Sequence, residues 1–411
     1  MKSRQTVNSV FLLIVSLFFL FVGVVYAELD NVDLPDREGV KILNKSKLHA
    51  AFKADEMIDT NIYLQNTDRF IDSITILSPS LGVDIPLHNA NISADYQADI
   101  YEYGVHHTED HTDQTLRGLA ELYLSEYKVV VNEVMKIFTD RAANEDSLRL
   151  RQQTNNIRAG VSREFNRLIL DVGYTNRLET YQSDDAFYQT LTYRDKDRDM
   201  NIIDTTVSYR FWPKTVALLE NNLGFIRYYN SSEVPGSYFD EALFGFKGEW
   251  FSRANINFRA GFRFQQYDKS DMLNDKSYIG AVMKGGFDYS PTDNDIVIFE
   301  FDREIYESTY NNMNYYVSNL IGFNWRHNFT RKVSANVSGS YQLHLYPSVS
   351  TENNETAKRY DNYYLASVGL RYDLRKWVSL EAKYEYVNRI SRFDIFDYVD
   401  NVVSASCTVG F

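Results

Sequence analysis

The chain consists of segments of alternating apolar and polar residues joined by polar connections that are alternately short and long, and this regularity strongly constrains the fold. From residue 47 onward about eighteen such segments are present. Successive side chains of a β-strand point to opposite faces, so each segment is a candidate strand with one apolar and one polar face. Eight short and nine long connections require eighteen strands, with both chain ends on the same side.

The short connections lie at residues 87–89, 125–126, 164–166, 213–214, 252–253, 291–294, 330–331 and 374–376. The long ones lie at residues 59–70, 105–113, 140–153, 183–199, 230–236, 268–275, 307–312, 348–358 and 391–396. Bacterial outer-membrane barrels have short periplasmic turns, longer extracellular loops and an even number of antiparallel strands. The alternation therefore predicts an all-β fold, a transmembrane antiparallel up-and-down β-barrel of about 18 strands with both termini periplasmic.

The alternation within the strands separates an apolar face from a polar one. In one strand Ile92, Ala94 and Tyr96 share a face, and Ser93 and Asp95 share the other. A soluble β-sandwich also alternates, but its strands are shorter and its outer face is not consistently aromatic and aliphatic. Segments 128–139 and 215–226 alternate poorly, so the strand count is accurate to about two.

The N-terminus has the features of a secretory signal peptide. Lys2 and Arg4 precede an apolar stretch at residues 10–25, and Ala27 ends a small-residue cleavage site. The predicted organisation is a signal peptide at 1–27, a short periplasmic segment at 28–46 and an outer-membrane β-barrel at 47–411. We expect export across a Gram-negative envelope, cleavage after Ala27 and localisation in the cell outer membrane.

Composition and motifs exclude several classes of function. The net charge of −13 argues against a nucleic-acid partner, and the one cysteine, Cys407, excludes an intramolecular disulfide and a cysteine-based zinc site. No phosphate-binding loop, dinucleotide fingerprint or Gly-x-Ser-x-Gly elbow occurs. The histidines of segment 106–111 could bind a metal, and His327 and His344 could serve an enzyme. We nevertheless predict no catalytic residues, no cofactor and no metal.

A barrel of roughly 16 to 18 strands encloses an aqueous lumen unless loops or a plug fill it. Charged residues of both signs occupy the predicted lumen face: Asp95, Asp99, Arg117, Glu121, Arg158, Asp171, Arg210, Lys247, Glu249, Arg259, Arg263, Lys284, Glu300, Asp302, Arg371, Glu381, Lys383 and Glu385. Such a lining could orient water and hydroxyl-rich solutes without strong ion preference. Alternatively, these residues pair across neighbouring strands and stiffen or block the bore.

Aromatic residues mark the predicted membrane interface. All four tryptophans lie next to short connections and predict a periplasmic aromatic girdle: Trp212, Trp250, Trp325 and Trp377. The last strand ends with Val409 and Phe411, which have the same parity and should face lipid. This ending resembles the C-terminal signal that the barrel-assembly machinery reads, so that machinery and outer-membrane lipid are expected partners.

Two early segments carry a resemblance to a known family. Residues 52–63 (FKADEMIDTNIY) and 72–81 (DSITILSPSL) resemble the opening strands of the putative β-barrel porin type 2 family, whose proteins are often encoded with exopolysaccharide or capsule synthesis systems. The resemblance implies a channel that assists exopolysaccharide export, with periplasmic polysaccharide-export proteins as partners. The alternatives are a general diffusion porin for small hydrophilic solutes and a non-conducting structural or assembly protein.

Overall fold

The structure is a computed structural model that describes residues 39–43, 45–140, 150–182, 196–229, 235–268, 277–308, 310 and 313–411. The predicted signal peptide and its cleavage site lie outside these residues. Parts of five predicted long connections, those at 140–153, 183–199, 230–236, 268–275 and 307–312, also lie outside them.

Nineteen strands are assigned within these ranges. They are β1 (Val40–Leu43), β2 (Ser46–Asp59), β3 (Asp72–Pro86), β4 (Ala90–Tyr103), β5 (His111–Leu124), β6 (Tyr127–Asp140), β7 (Leu150–Phe165), β8 (Leu168–Gln182), β9 (Arg198–Trp212), β10 (Thr215–Tyr228), β11 (Ser237–Phe251), β12 (Ala254–Tyr267), β13 (Ser277–Tyr289), β14 (Asp295–Glu307), β15 (Tyr315–Asn328), β16 (Val333–Glu352), β17 (Glu355–Arg375), β18 (Val378–Ser391) and β19 (Tyr398–Gly410). Single 3-10 turns occur at His107–Glu109 and Asp394–Phe396. No helix in the described ranges is long and apolar enough to cross a membrane.

Strands β2 to β19 form a closed barrel. Each strand pairs antiparallel with its sequence neighbour, and β19 returns to pair with β2 from Gly410↔Ala51 to Val402↔Asp59. Closure leaves no long sheet edge exposed, which is the condition for a sheet to lie in lipid. The prediction of an all-β antiparallel barrel with eighteen wall strands is confirmed.

The short strand β1 is an addition to the barrel wall. It pairs with the start of β2, where Val40 faces Leu48 and Lys41 faces Lys47. Because the pairing of β19 with β2 ends at Ala51, β1 continues the sheet beyond the end of β19. This strand lies in the predicted periplasmic segment, residues 28–46.

One predicted long connection is formed by paired strand instead. Strands β16 and β17 continue to a two-residue turn at Asn353 and Asn354, and Ser350 pairs with Ala357 inside the range 348–358. Both asparagines have positive φ, 48° and 68°, as a two-residue hairpin of type I′ requires. The prediction of a loop there was wrong, because the polar residues that suggested a loop belong to an exposed hairpin.

The two faces of the wall differ in exposure. Phe262 and Ile279 point outward and are 69% and 74% exposed, whereas their neighbours Leu243 and Gln265 point inward and are buried. Exposed hydrocarbon on the outside suits a lipid environment, in which strands alternate apolar-out and polar-in. Buried apolar clusters lie inside the barrel, at the rim that carries the long connections.

The closing strand leads to a prediction about assembly. Phe411 donates its N–H to the carbonyl of Ala50 at 3.0 Å and accepts from the N–H of Ala50 at 3.2 Å, and its side chain is 55% exposed. We expect deletion of Phe411 to lower the amount of protein in outer-membrane fractions, measured by immunoblot. Phe329→Ala, which removes an exposed phenylalanine from a short turn, should leave that amount unchanged. Normal levels of the deletion variant would contradict the prediction.

Candidate functional site

The eighteen charged residues assigned to the lumen lie on a single face of the sheet, the one opposite the exposed hydrocarbon. Facing residues on neighbouring strands share a side of the sheet. The register sets Asp95 opposite Arg117 and Lys284 opposite Asp302. Opposite charges are therefore neighbours across strands.

Ion pairs follow this face along the wall. Arg158 Nη2 lies 2.6 Å from Asp171, and Lys383 Nζ lies 2.7 Å from Glu385. Further pairs involve residues that the sequence did not single out: Glu121 with Lys128, Arg210 with Glu164, Glu249 with Lys214, Arg259 with Glu220, Arg263 with Glu241, Lys284 with Glu241 and Glu304, and Arg371 with Asp373. Positive and negative side chains thus neutralise each other along the lining.

The remaining predicted residues have polar or small neighbours. Asp99 accepts a hydrogen bond from Gln97 at 2.9 Å. Glu381 faces Arg371, and Lys247 faces Asn257. The side chain of Glu300 lies over Gly322, where an added Cβ would come within 2.3 Å of its Oε1.

Two glycines shape the centre of the lining around Arg158. A Cβ at Gly160 or at Gly173 would lie 2.6 or 2.5 Å from a terminal nitrogen of this guanidinium. The absence of side chains lets Arg158 lie along the wall, where it also bonds Asp204 on β9. One arginine thereby ties together the inner faces of three strands.

The wall departs from regular pairing at the rim with the long connections. Strands β13 and β14 pair only from Tyr289↔Val297 to Met283↔Arg303, although both continue further toward that rim. Strands β14 and β15 remain paired up to Glu307↔Tyr315. We call the ends of β14 and β15 at this rim, residues 304–307 and 315–318, the rim hairpin.

The rim hairpin lies inside the barrel. Tyr315 has the parity of Ile321, which points outward and is 58% exposed, yet Tyr315 is only 8% exposed. Its ring stacks on Tyr267 at 6.0 Å and meets Tyr278 edge-on at 5.3 Å. Both partners lie on the inner faces of β12 and β13, so the hairpin has turned inward over them.

The opposite side of the rim hairpin packs against β16. Tyr316 lies 4.6 Å from the ring of His344 and 5.4 Å from that of Tyr346. On the side of β12, Gln265 donates a hydrogen bond to the hairpin residue Glu307 at 2.6 Å. The hairpin therefore narrows the lumen at this rim.

A buried arginine cluster supports this constriction. Asp361 on β17 accepts hydrogen bonds from Arg359 at 2.8 Å and from Arg389 on β18 at 3.0 Å, and Ser391 donates to it at 2.5 Å. The side chains of Arg359 and Asp361 are fully buried. The carboxylate is thus shared by two guanidinium groups.

Aromatic rings enclose the Arg359 guanidinium. Its carbon lies 3.9 Å from the ring centre of Phe396, 4.3 Å from Tyr310 and 4.7 Å from Tyr346, and such contacts stabilise a desolvated cation. Tyr310, in the connection between β14 and β15, also donates its hydroxyl to Glu352 at 2.7 Å. Burial raises the pKa of this hydroxyl above its usual value, because the phenolate would lose its hydration.

The histidines considered for chemistry are dispersed. His106 Nδ1 lies 2.7 Å from Asp72, and His111 stacks on Tyr101 at 4.4 Å. His327 Nδ1 lies 2.7 Å from Asp295 near a short turn, whereas His344 lies at the opposite rim. Within the described ranges, no group of three or more potential ligands is placed to hold a metal ion.

The four tryptophans lie at the rim with the short turns. They are between 38% and 55% exposed: Trp212, Trp250, Trp325 and Trp377. Trp212 and Trp250 meet edge to face at 5.5 Å, and Trp325 donates to Asp295 at 3.0 Å. A ring of exposed indoles at one rim suits a membrane interface.

Comparison with known proteins finds one matching protein family. The model of the family described as putative beta-barrel porin 2 matches residues 48–411. No curated protein matches the chain.

Solved structures to which the chain is similar include three from different bacteria. OpdK of Pseudomonas aeruginosa with vanillate has a TM-score of 0.48 and 11% identity, covering 90% of this chain and 100% of that one. OccAB3 of Acinetobacter baumannii has a TM-score of 0.47 and 10% identity, covering 90% of this chain and 100% of that one. The FrpB iron transporter of Neisseria meningitidis has a TM-score of 0.48 and 8% identity, covering 92% of this chain and 82% of that one.

Proposed function

The chain belongs to the putative beta-barrel porin 2 family, and on that basis we propose that this porin-like outer-membrane channel passes small hydrophilic solutes. The observation that carries the proposal is the inner face, on which charges of both signs are paired along the wall. A lining of this kind offers hydrogen bonds to water and hydroxyl groups while presenting little net charge. Solute size would be limited by the rim hairpin.

Exopolysaccharide export, which the family resemblance implied, has no support in these comparisons, and the alternative of a small-solute porin fits them better. The proposed orientation keeps the short turns and both chain ends in the periplasm. The barrel-assembly machinery remains a proposed partner, whereas periplasmic export proteins would be partners only if the channel exports polysaccharide.

The proposal is tested by conductance in planar bilayers and by swelling of liposomes in sugars of increasing size. We expect stepwise conductance with weak ion selectivity, together with uptake of small sugars and exclusion of large ones. Folded protein without conductance would instead indicate a structural role. An interaction that strengthens with polysaccharide chain length would favour export.

A single substitution tests the role of the paired charges. Arg158→Gln leaves Asp171 and Asp204 without their guanidinium partner, so we expect the reversal potential in a salt gradient to shift toward cation selectivity. Arg163→Gln is the matched control, because Arg163 pairs with Glu126 beside a short turn. Equal shifts in the two variants would contradict a selective role for the lining.

A further inference from the structure

The seam between β13 and β14 is only half closed by backbone pairing. Register pairs join Met283–Tyr289 to Val297–Arg303, and none of the described residues of β14 pairs with Ser277–Val282. On its other edge β13 pairs with β12 up to Ser277↔Gln266. The neighbouring seams between β12 and β13 and between β14 and β15 each hold thirteen register pairs, against seven at this one.

In the half of this seam nearer the rim with the long connections, side chains rather than backbone hydrogen bonds join the two strands. Arg303 Nε donates to the carbonyl of Ala281 at 3.1 Å. Behind the gap lies an apolar cluster that includes Tyr278 of β13 and Ile305, Tyr315 and Val317 of the rim hairpin. On the lumen side, Lys284 pairs with Glu304, and Gln265 donates a hydrogen bond to Glu307 at 2.6 Å. A seam held by side-chain contacts and apolar packing resists separation less than strands joined by a continuous backbone ladder.

The outside of the seam is continuous with the hydrocarbon-facing surface. Ile279 is 74% exposed beside the gap, and Phe262 on the adjacent strand is 69% exposed. Lipid chains that cover these side chains are separated from the inner apolar cluster by a part of the wall in which none of the described residues of β14 pairs with β13. Apolar surface that becomes accessible there would be covered by hydrocarbon in preference to water.

We propose that the half-paired β13–β14 seam is a lateral opening through which an acyl chain of a membrane lipid reaches the apolar cluster inside the barrel. The inward position of the rim hairpin creates the opening, because it removes β14 from the edge of β13. The hydrogen bond from Arg303 to the carbonyl of Ala281 holds the two strands together when the seam is closed. The proposal requires insertion in a membrane but does not depend on which solute the channel conducts.

The experiment places the photoreactive residue p-benzoylphenylalanine at Tyr278, which faces inward and is 8% exposed. The protein is reconstituted in vesicles of phosphatidylethanolamine and phosphatidylglycerol and then irradiated. Phe239 is the matched control position, since it faces inward at the same level, Phe239↔Gln265↔Tyr278, and is 3% exposed. Position Ile279, which faces outward, serves as the positive control for lipid labelling.

We expect several-fold more lipid adduct at position 278 than at position 239, and Arg303→Gln should increase it further by releasing Ala281. Equal labelling at the two inward positions overturns the proposal. If the label at 278 prevents folding, judged by heat-dependent migration in gels, position Ile305 of the same cluster replaces it. Conductance of the same vesicles tests the proposed function separately, so a conducting barrel without adduct at 278 refutes the seam alone.

Discussion

Asp361→Asn is expected to lower the free energy of unfolding by about 3–5 kcal/mol, the usual cost of breaking a buried charge pair. Asparagine keeps the shape of the side chain but removes the charge that Arg359 and Arg389 share. Arg359 is fully buried and the side chain of Arg389 is 4% exposed, so water cannot replace the carboxylate. Denaturant unfolding in detergent micelles, followed by tryptophan fluorescence, measures the loss.

The same strand offers a matched control. Asp373→Asn removes the same charge from an Arg-Tyr-Asp sequence identical to that of residues 359–361, but here Arg371 and Asp373 are 22% and 41% exposed. An exposed pair contributes about 0–1 kcal/mol, so this variant should unfold almost as the parent protein does. Comparable losses of unfolding free energy in both variants would show that burial at the rim does not determine how much the ion pair contributes to stability.

Shortening the rim hairpin should increase the single-channel conductance several-fold. The variant replaces residues 306–316 by Asn-Gly, which joins the facing residues Ile305 and Val317 through a two-residue turn suited to a hairpin. It removes Tyr306 and Tyr316, whose rings stack on each other at 5.5 Å, and with Tyr316 the contact to His344 on β16 at 4.6 Å. The bore at this rim would then approach the width that eighteen strands allow.

Tyr238→Ala is the control for this measurement, because Tyr238 is an outward-facing aromatic residue at the same rim and is 42% exposed. It should leave the conductance unchanged. Heat-dependent migration in gels establishes that both variants are folded before they are compared. An unchanged conductance of the shortened variant would mean that the rim hairpin does not limit the pore.

Much of the wall could be predicted from the amino-acid sequence. The strand number and the eight short turns follow from local alternation and turn residues, because a lipid-exposed wall requires every strand to separate an apolar from a polar face. The eighth long connection was misread, since polar residues such as Asn353 and Asn354 suit a loop and an exposed hairpin equally. The same alternation assigns the charged residues to one face, which is predicted to line the lumen.

The inward turn of the rim hairpin could not be predicted from the sequence. The alternation of apolar and polar residues continues unchanged from the lipid-facing part of β14 and β15 into the part that packs inside the barrel. Ile305, Tyr315 and Val317 continue the outward parity of their strands, and apolar residues there suit lipid as well as they suit Tyr278. The loss of register with β13 is decided by packing between residues far apart in the chain. Strand register is set by such contacts wherever the local pattern allows more than one partner.

The two Arg-Tyr-Asp sequences of β17 show what the sequence by itself determines and what the tertiary structure decides. In each, alternation by itself sends the tyrosine outward and the arginine and aspartate inward. Whether the pair is partly exposed, as at Arg371, or fully buried under aromatic rings, as at Arg359, depends on Tyr310 from the connection between β14 and β15 and on Phe396 from another connection. Parity is a local property of the chain, whereas burial is the sum of what distant segments place on top of it.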